Sequence, residues 1–332
     1  MSILITGGAG YIGSHAARQL IDRSYSVVVL DNLSTGHRWA IPSSVPFYQG
    51  NISDSSLVAK IIREHQVDSV MHFAALTDVG QSVLDPELYE ENNYIGSQKL
   101  IDTAASMGVR NFIFSSTAAV YGDPSELPVS EKTKPAPINP YGMTKLKTED
   151  YLKKNHYNMR YLILRYFNVA GARLDGTLGQ STPRATHLIK VAAEAACGKR
   201  SLIKIFGTDY STRDGTCIRD YIHVEDLCDA HILALEKLSG GLESQIFNLG
   251  YGQGYSVKEV ISMMKKVSDV DFKVETAPRR IGDSVEIIAN STRAHQVLGW
   301  SPKYNSLEVI CRTSYLWEKN LETFLQKMKT KD

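Results

Sequence analysis

The sequence has little of what disulfide-rich, metal-binding or membrane proteins require. Its 332 residues include four cysteines, and no two of them have CxxC spacing. A disulfide framework or a zinc site is therefore not expected, and we expect no metal site of any kind. The chain also lacks a run of about eighteen apolar residues, which argues against a membrane span.

An excess of charge of one sign is also lacking. The 37 basic and 36 acidic residues leave a formal net charge of +1. Neither a nucleic-acid surface nor a polybasic membrane patch is indicated. Residues 2–6 already have the pattern of a strand, which leaves no room for a signal peptide, and we expect a cytoplasmic protein.

Short apolar runs alternate with helical patterns through the first half of the chain. We predict buried strands at residues 3–5, 27–30, 45–48, 70–73, 112–115 and 161–164. We predict helices between them, including 14–22, 54–65, 89–107 and 141–155. Alternation of this kind is typical of an α/β protein with a doubly wound parallel sheet.

The alternation loosens after Arg165. Residues 168–184 contain Asn, Gly, Asp, Pro and Ser and predict a loop, and a helix at 185–197 is expected to stop at Gly198. We therefore divide the chain into a first domain at 1–167 and a smaller, mixed α/β lobe at 168–332. Some of the chain is expected to cross back between them.

A glycine-rich turn directly follows the first predicted strand. Gly7, Gly10 and Gly13 permit a tight turn and a close approach of backbone to a pyrophosphate, which the free N–H groups of the next helix can bind. Asp31 ends the second strand eighteen residues after Gly13, where a carboxylate accepts from ribose hydroxyls. The combination predicts a Rossmann-type dinucleotide fold. Because Asn32 rather than an arginine follows Asp31, the pattern favours NAD over NADP.

A second motif carries reactive side chains. Tyr141 and Lys145 stand four residues apart at the start of a predicted helix, so their side chains share a face. A phenol with a pKa of about 10 needs a nearby cation to act as a base near neutrality, and Lys145 is placed to provide it. Residues 115–117 carry three hydroxyls at the end of a predicted strand, and a hydroxyl there can face the tyrosine across a substrate.

Motifs along nearly the whole chain resemble those of the UDP-galactose 4-epimerases, extended short-chain dehydrogenase/reductases that act on nucleotide sugars. The matching segments are TGGAGYIG, HFAA, ENN, FSSTAAVYG, PYGMTK, LRYFNVAGA, IFG, RDYIHVEDL and APRRIGD, in this order. The resemblance implies that residues 1–167 bind NAD and that residues 168–332 bind a UDP-sugar. It also implies a homodimer that pairs through helices near 86–107 and 141–155.

The resemblance also implies roles for individual residues. Tyr141, Lys145 and Thr117 would be catalytic. The cofactor would be held by Gly7, Gly10, Tyr11, Ile12, Gly13, Asp31, Asn32, Asn51, Ile52, Phe73, Ala74, Ala75, Asn93, Ser115, Tyr141, Lys145 and Tyr166. The substrate would be held by Thr117, Tyr141, Phe167, Asn168, His187, Leu188, Phe206, Arg219, Tyr221, Arg280, Asp283 and Ile287.

The implied activity is NAD-dependent inversion of the C4 hydroxyl of UDP-glucose or UDP-galactose through a transient 4-keto sugar. A nucleotide-sugar dehydratase or decarboxylase is a rival on the same fold, but it needs an acidic residue where Ala118 and Ala119 follow Thr117. A non-catalytic NAD-sensing regulator is a rival of another class, with no reason to retain Tyr141 and Lys145 together. A 4-epimerase for UDP-N-acetylhexosamines or UDP-pentoses also remains open.

Four positions depart from the pattern of many family members. Asn51 stands in place of an aspartate, Thr77 in place of a lysine, His187 in place of an asparagine and Thr117 in place of a serine. A fifth position, Ile287, falls where a tyrosine closes the sugar pocket to a 2-acetamido group and a small residue leaves it open. Isoleucine offers no hydrogen bond to such a group, so we expect UDP-glucose and UDP-galactose to be preferred.

Overall fold

A computed structural model describes residues 1–154, 158–183, 185–280 and 282–329, with the side chains of residues 328 and 329 outside this description. The strands are β1 (Ser2–Thr6), β2 (Ser26–Asp31), β3 (Phe47–Gln49), β4 (Ser69–His72), β5 (Asn111–Thr117), β6 (Arg160–Tyr166), β7 (Asn168–Ala170), β8 (Ile203–Phe206), β9 (Ile218–His223), β10 (Gln245–Leu249), β11 (Gly254–Ser256), β12 (Val274–Ala277) and β13 (Glu286–Ile287). The α-helices are α1 (Tyr11–Asp22), α2 (Ser55–His65), α3 (Val79–Leu84), α4 (Pro86–Tyr89), α5 (Gly96–Ser106), α6 (Pro140–Lys154), α7 (Leu188–Ala196), α8 (Val224–Ser239), α9 (Val257–Ser268) and α10 (Leu307–Lys329).

The central sheet has seven parallel strands in the order β10-β6-β5-β4-β1-β2-β3. The chain runs from β1 outward to β3 and then returns to β4 on the other side of β1. The prediction of a Rossmann-type, doubly wound α/β sheet is confirmed. Because the direction of strand succession reverses between β1 and β4, a crevice opens there beyond the carboxyl ends of the strands.

Both faces of the central sheet are buried, which explains why its strands are continuous apolar runs. Ile3 and Ile5 of β1 belong to one core cluster, together with Leu20 of α1. Leu4, between them, belongs to the cluster on the opposite face, together with Ile61 of α2. Alternate side chains of one short strand therefore hold helices on both sides of the sheet.

The predicted elements of the first half are present, with shifted ends. The helix predicted from residue 14 begins at Tyr11, and the one predicted at 89–107 is divided into α4, a π-helical turn at Glu90–Ile95 and α5. Of the helix predicted at 141–155, residue 155 lies outside the described residues. The helix predicted at 185–197 is α7, and Gly198 follows it with φ +74°.

The prediction of a loop throughout 168–184 is wrong at its start, where β7 pairs in parallel with β9. β7 has three residues, and no local pattern predicts it as a strand. It forms by pairing with β9, which lies some fifty residues later in the chain. A four-stranded sheet forms around β9 from β7, β11 and β13, and α7, α9 and α10 cover it with a separate core. This is the smaller lobe.

One segment of the second half belongs to the large sheet. α8 packs against α1, β5 and β6, and β10 pairs with β6 at the sheet edge. Residues 224–249 thus return to the first domain before the chain continues to α9. The boundary between 1–167 and 168–332 stays a prediction.

A buried ion pair connects α6 to the two strands beneath it. Glu149 accepts hydrogen bonds from Ser116 of β5 at 2.6 Å and from Nε of Arg165 of β6 at 2.9 Å. Arg165 also donates to the Tyr121 hydroxyl at 3.0 Å, which donates in turn to Asn248 of β10. All five side chains are buried. The pair therefore sets how α6 is seated on the sheet.

We expect Arg165→Met to reduce the free energy of unfolding by about 3–5 kcal/mol, because the Glu149 carboxylate would remain buried without its partner. Urea unfolding followed by circular dichroism measures the loss. Lys273→Met is the control, since it breaks an exposed pair with Glu275 and is expected to leave the free energy of unfolding nearly unchanged. Arg165→Met combined with Glu149→Leu should recover much of the loss, and equal losses in the single and double variants would contradict this account.

Candidate active site

A cleft of about 830 Å³ lies at the carboxyl ends of β1, β2, β4, β5 and β6, facing loops of the smaller lobe. It is the crevice that the topology predicts at the reversal between β1 and β4. Of the residues expected to bind the cofactor, the structure places these on its wall: Gly7, Gly10, Tyr11, Ile12, Gly13, Asp31, Asn32, Asn51, Ile52, Phe73, Ala74, Ala75, Tyr141 and Tyr166.

The glycine-rich turn has the geometry of a dinucleotide cradle. Gly7 has φ +70°, and a Cβ atom there would lie 2.5 Å from the backbone nitrogen of Ala74. A Cβ atom on Gly13 would lie 2.3 Å from the Gly7 carbonyl oxygen. Gly10 caps α1 without any side-chain hydrogen bond, so the N–H groups of the first turn are left for a ligand. The cradle fits the pyrophosphate of NAD.

Both carboxylate oxygens of Asp31 accept hydrogen bonds from backbone N–H groups of the protein itself. One carboxylate oxygen accepts from the Ala9 backbone N–H at 2.9 Å, and the other accepts from the Leu33 N–H at 2.7 Å. Asp31 therefore connects the glycine-rich turn to the loop after β2. Each oxygen retains lone-pair capacity for a ribose hydroxyl.

Three residues expected at the cofactor are placed behind the wall. The Asn93 side chain accepts from the Leu76 N–H at 2.8 Å and donates to the Leu76 carbonyl at 2.9 Å, so it holds the loop after β4. Ser115 bonds His231 through its hydroxyl. The Lys145 ammonium donates to the Ser115 carbonyl at 2.9 Å. These residues support the site from the sheet side, because β5 and α6 are packed tightly there.

Thr117 and Tyr141 meet on the cleft wall. Thr117 ends β5, and its hydroxyl lies next to the Tyr141 phenol near the start of α6. Both side chains are nearly buried but border the cleft. Lys145 lies one turn further along α6, beneath them, over the ring of Phe114 at 5.0 Å. The structure brings all three predicted catalytic residues together.

Burial changes the pKa values of two of these residues. It raises the pKa of Tyr141 to about 12, although the neighbouring Thr117 hydroxyl acts in the opposite direction. It lowers the pKa of Lys145 to about 7, although Glu149 acts to raise it. Desolvation thus favours the neutral form of both groups. That Lys145 stabilises the Tyr141 phenolate stays a prediction.

The far end of the cleft has the residues expected at a sugar. Phe167 and Asn168 follow β6 and lie on the wall, beside Tyr166. Ile287 of β13 also borders the cleft and packs in a small core cluster with Ala118 and Phe167. It is only 5% exposed, so its side chain fills space beside Ala118 and Phe167 rather than pointing to solvent.

The smaller lobe contributes part of its predicted set. Arg219, Asp283 and His187 line the cleft. Arg219 also donates to the Ser284 carbonyl at 2.7 Å and to the Ile218 carbonyl at 2.9 Å, so it holds the loop that carries Asp283.

Four other predicted substrate residues do not lie on the cleft wall. Tyr221 is buried in the core of the smaller lobe, since β9 packs there against the helices, and Leu188 packs against the same core. Arg280 is exposed and lies over the ring of Phe206, 3.7 Å from its centroid. In this conformation the two form a stacked pair beside the cleft.

Several wall residues were missed by the sequence analysis. All are polar, and all but Gln81 of α3 and Asn92 of the π-helical turn lie in loops: Ser34, Thr35, Asp78, Gln81, Asn92, Asn139, Gln180, Thr182, Thr186 and Ser284. Gln180, Thr182 and Thr186 lie in or just after the loop predicted at 168–184, and its polar composition was the available signal. Within the described residues, no group of three or more His, Cys, Asp or Glu side chains could hold a metal ion, and no helix is long and apolar enough to cross a membrane.

Comparison with known proteins agrees with this geometry. Residues 3–250 match the model of the NAD dependent epimerase/dehydratase family. The chain belongs to this family. The UDP-glucose 4-epimerase of Azospirillum brasilense is 48% identical over 322 residues, which are 96% of this chain and 92% of that protein. The resemblance found in the sequence motifs is thereby confirmed.

Solved structures of the same family superpose along almost the whole chain. The UDP-Glc/GlcNAc 4-epimerase from Campylobacter jejuni is 50% identical, with a TM-score of 0.83 over 96% of this chain and 99% of that one. A UDP-glucose 4-epimerase from Brucella ovis in complex with NAD is 42% identical, with a TM-score of 0.92 over 96% of this chain and 98% of that one. NAD is the cofactor of this fold.

Proposed function

We propose that the protein inverts the C4 hydroxyl of a UDP-hexose, interconverting UDP-glucose and UDP-galactose with NAD that remains bound. One observation carries the proposal: the neighbouring Tyr141 and Thr117 side chains face the same cleft as the dinucleotide cradle. A tyrosine and a hydroxyl beside a nicotinamide cofactor are suited to oxidise an alcohol and to reduce the resulting ketone. Relatives named UDP-glucose 4-epimerase at 48% identity support the same reaction.

The cradle would hold the cofactor along the carboxyl edge of the sheet. The first turn of α1 would bind the pyrophosphate, Asp31 would accept from the adenosine ribose, and Asn51 and Ile52 would flank the adenine. Tyr166 borders the opposite end, where the nicotinamide would lie. When bound, NAD supplies the acceptor for hydride from C4 and a positively charged ring whose field favours a phenolate.

Tyr141 would act as the base on the sugar O4 hydroxyl. In the protein without its cofactor, burial raises the pKa of the Tyr141 phenol. The positive charge of bound NAD would therefore be needed to make the proton transfer possible near neutrality. Thr117 would donate to the phenolate and keep it aimed at O4. Once the 4-keto sugar has turned over in the pocket, so that C4 would take the hydride back on its opposite face, Tyr141 would return the proton to O4.

The smaller lobe would hold UDP while the sugar turns. Arg219 borders the cleft, and Arg280 lies beside it with an exposed guanidinium, so both can pair with a diphosphate through forked donors. Asp283 can accept from the uridine ribose. We propose that Arg280 leaves the ring of Phe206, or slides along it, when the nucleotide binds. Leu188 and Tyr221 would then shape the pocket from behind.

The experiment that tests the function is incubation of the purified protein with UDP-galactose, UDP-N-acetylgalactosamine and UDP-arabinose separately, with the products resolved by chromatography. We expect UDP-glucose from UDP-galactose without added NAD and without accumulation of NADH, because each cycle regenerates the cofactor. Accumulation of NADH in proportion to product would instead show an oxidising dehydrogenase. Retention of NAD without turnover of any nucleotide sugar would favour a regulator.

A second candidate is a dual UDP-hexose and UDP-N-acetylhexosamine 4-epimerase. The relative from Campylobacter jejuni has a name that includes both substrates, and it is 50% identical to this chain. Ile287 favours the narrower preference, because its side chain borders the cleft beside Ala118 and Phe167 and offers no hydrogen bond to an acetamido group.

We also propose a homodimer in the cytoplasm. The helices expected at its interface carry the exposed apolar side chains of Leu88 in α4 and Met143 in α6, and Val83 and Leu84 of the preceding helix α3 are exposed as well. Leu84 is 86% exposed in the single chain, which is unusual for a large apolar side chain. The four free cysteines are consistent with a reducing compartment.

We expect Tyr141→Phe to lower kcat about 10²–10⁴-fold while NAD and UDP remain bound, because the ring stays and the proton carrier is lost. Thr117→Val should cost less, since it removes the partner rather than the base. Lys145→Met should slow turnover and weaken NAD binding. Steady-state kinetics with UDP-galactose measure turnover, and the absorbance of bound cofactor measures NAD binding. Near-normal turnover by Tyr141→Phe would show that Tyr141 is not the base.

For the sugar, we expect kcat/KM for UDP-galactose to exceed that for UDP-N-acetylgalactosamine by about 10- to 200-fold, the cost of an unpaired amide in the pocket. Ile287→Ser should narrow the ratio by opening space and adding a hydroxyl. Ile287→Val is the control, because it opens less space and adds no hydrogen bond. Equal kcat/KM values in the parent protein would show that Ile287 does not set the preference.

For the dimer, we expect Leu84→Glu combined with Leu88→Glu to give a monomer in light scattering coupled to gel filtration, because two charges would be buried in the interface. Leu174→Glu is the control, since Leu174 is also exposed, at 56%, but lies in a loop away from the two helices expected at the interface. A dimer that survives the double substitution would place the interface elsewhere.

A further inference from the structure

We propose that four aromatic side chains outside the cleft, His37, Trp39, Trp317 and Phe324, lock its adenosine end and control the rate at which NAD leaves. They are called the aromatic cluster below. Two belong to the loop after β2 in the first domain, and two belong to α10 at the end of the chain. The cluster therefore joins a loop of the first domain to the last helix of the smaller lobe.

The first side of the lock is the loop that follows Asp31. Its residues Asn32, Ser34 and Thr35 line the cleft. The loop is held down on the glycine-rich turn, because the His37 N–H donates to the Ala9 carbonyl at 2.9 Å. A Cβ atom at Gly36 would lie 2.8 Å from the backbone of Ala9, so the approach is close. A dinucleotide in the cleft would lie beneath this loop.

The second side is the segment 179–183 of the smaller lobe, where Gln180, Thr182 and Pro183 line the cleft. Trp317, only 2% exposed, donates from its indole nitrogen to the Gln180 carbonyl at 3.2 Å. A Cβ atom at Gly179 would lie 2.4 Å from the Trp317 ring. The position of this segment therefore follows the position of Trp317.

The aromatic cluster connects the two sides directly. The ring of Trp39 lies 6.2 Å from that of Trp317 and 5.4 Å from that of Phe324, measured between centroids. His37 stacks on Trp39 at 5.3 Å and donates from Nε2 to the Ser181 carbonyl at 3.0 Å. Such ring pairs add stability beyond the area that they bury. Trp39 thus spans the junction between the loop after β2 and α10.

The arrangement has a consequence for cofactor exchange. The loop after β2 cannot move away from the segment 179–183 unless Trp39 leaves α10 and His37 leaves Ser181. An enzyme that consumes NAD must exchange it in every cycle, whereas an epimerase regenerates it in place. Slow release of NAD suits the enzyme that regenerates its cofactor in place, and in this respect the inference rests on the proposed function.

The test is the rate of NAD release from the purified holoenzyme without any sugar. Released NAD is trapped by an added dehydrogenase with excess substrate, and the absorbance of the NADH formed is followed. We expect Trp39→Ala and Phe324→Ala to release NAD about 10- to 100-fold faster, since each lost ring pair is worth roughly 2- to 10-fold. Trp39→Phe, which retains a ring, should remain within about 3-fold of the parent.

Tyr315→Ala is the matched control. Tyr315 is an aromatic residue of the same helix, but it packs against the core of the smaller lobe. We expect its release rate to match that of the parent. Unchanged release in Trp39→Ala, or equally fast release in Tyr315→Ala, would overturn the proposal. Because release is measured without substrate, a failure of the epimerase assignment would be seen separately, in the product assay.

Discussion

The parallel pairing of β1 with β4 is the constraint on which the rest of the structure depends. The direction of strand succession reverses there, so a crevice opens beyond the carboxyl ends of these two strands. Gly7 closes the first loop against Ala74 in the second at a distance that permits no side chain. The cradle, the crevice and the N-terminus of α1 therefore come from one topological fact.

The reactive residues depend on the same sheet through a polar interior. Ser115, Ser116 and Thr117 are consecutive on β5 and have three different partners. The Ser115 carbonyl accepts from Lys145, the Ser116 hydroxyl donates to Glu149, and the Thr117 hydroxyl lies next to Tyr141. The buried pair of Glu149 with Arg165 links them to β6. Burial gives this arrangement its rigidity and also moves Tyr141 and Lys145 toward their neutral forms, which is why the charge of a bound cofactor matters for the chemistry.

The smaller lobe is connected to the first domain on more than one side of the cleft. β10 and α8 return to the large sheet, the aromatic cluster joins α10 to the loop after β2, and Ser284 donates to the Gly122 carbonyl at 2.6 Å next to the sugar end. In the proposed reaction, these connections would keep a nucleotide sugar held by the smaller lobe in register with a cofactor held by the first domain. Turning of the sugar within the pocket would require this stability, because UDP would have to stay in place while C4 changes face.

Local sequence determined the central sheet and the cofactor cradle, because strand periodicity, a glycine-rich turn and a carboxylate at a set distance are all short-range signals. The placement of Tyr141 and Lys145 on one face of a helix was predictable for the same reason, since it depends only on helical spacing. Three things were decided by tertiary structure alone. β7 exists because β9 lies beside it, the pKa values of Tyr141 and Lys145 follow from burial, and Tyr221 is in a core rather than on the cleft wall because helices cover that part of β9. Each depends on neighbours distant in the chain, and no local pattern of residues records their position.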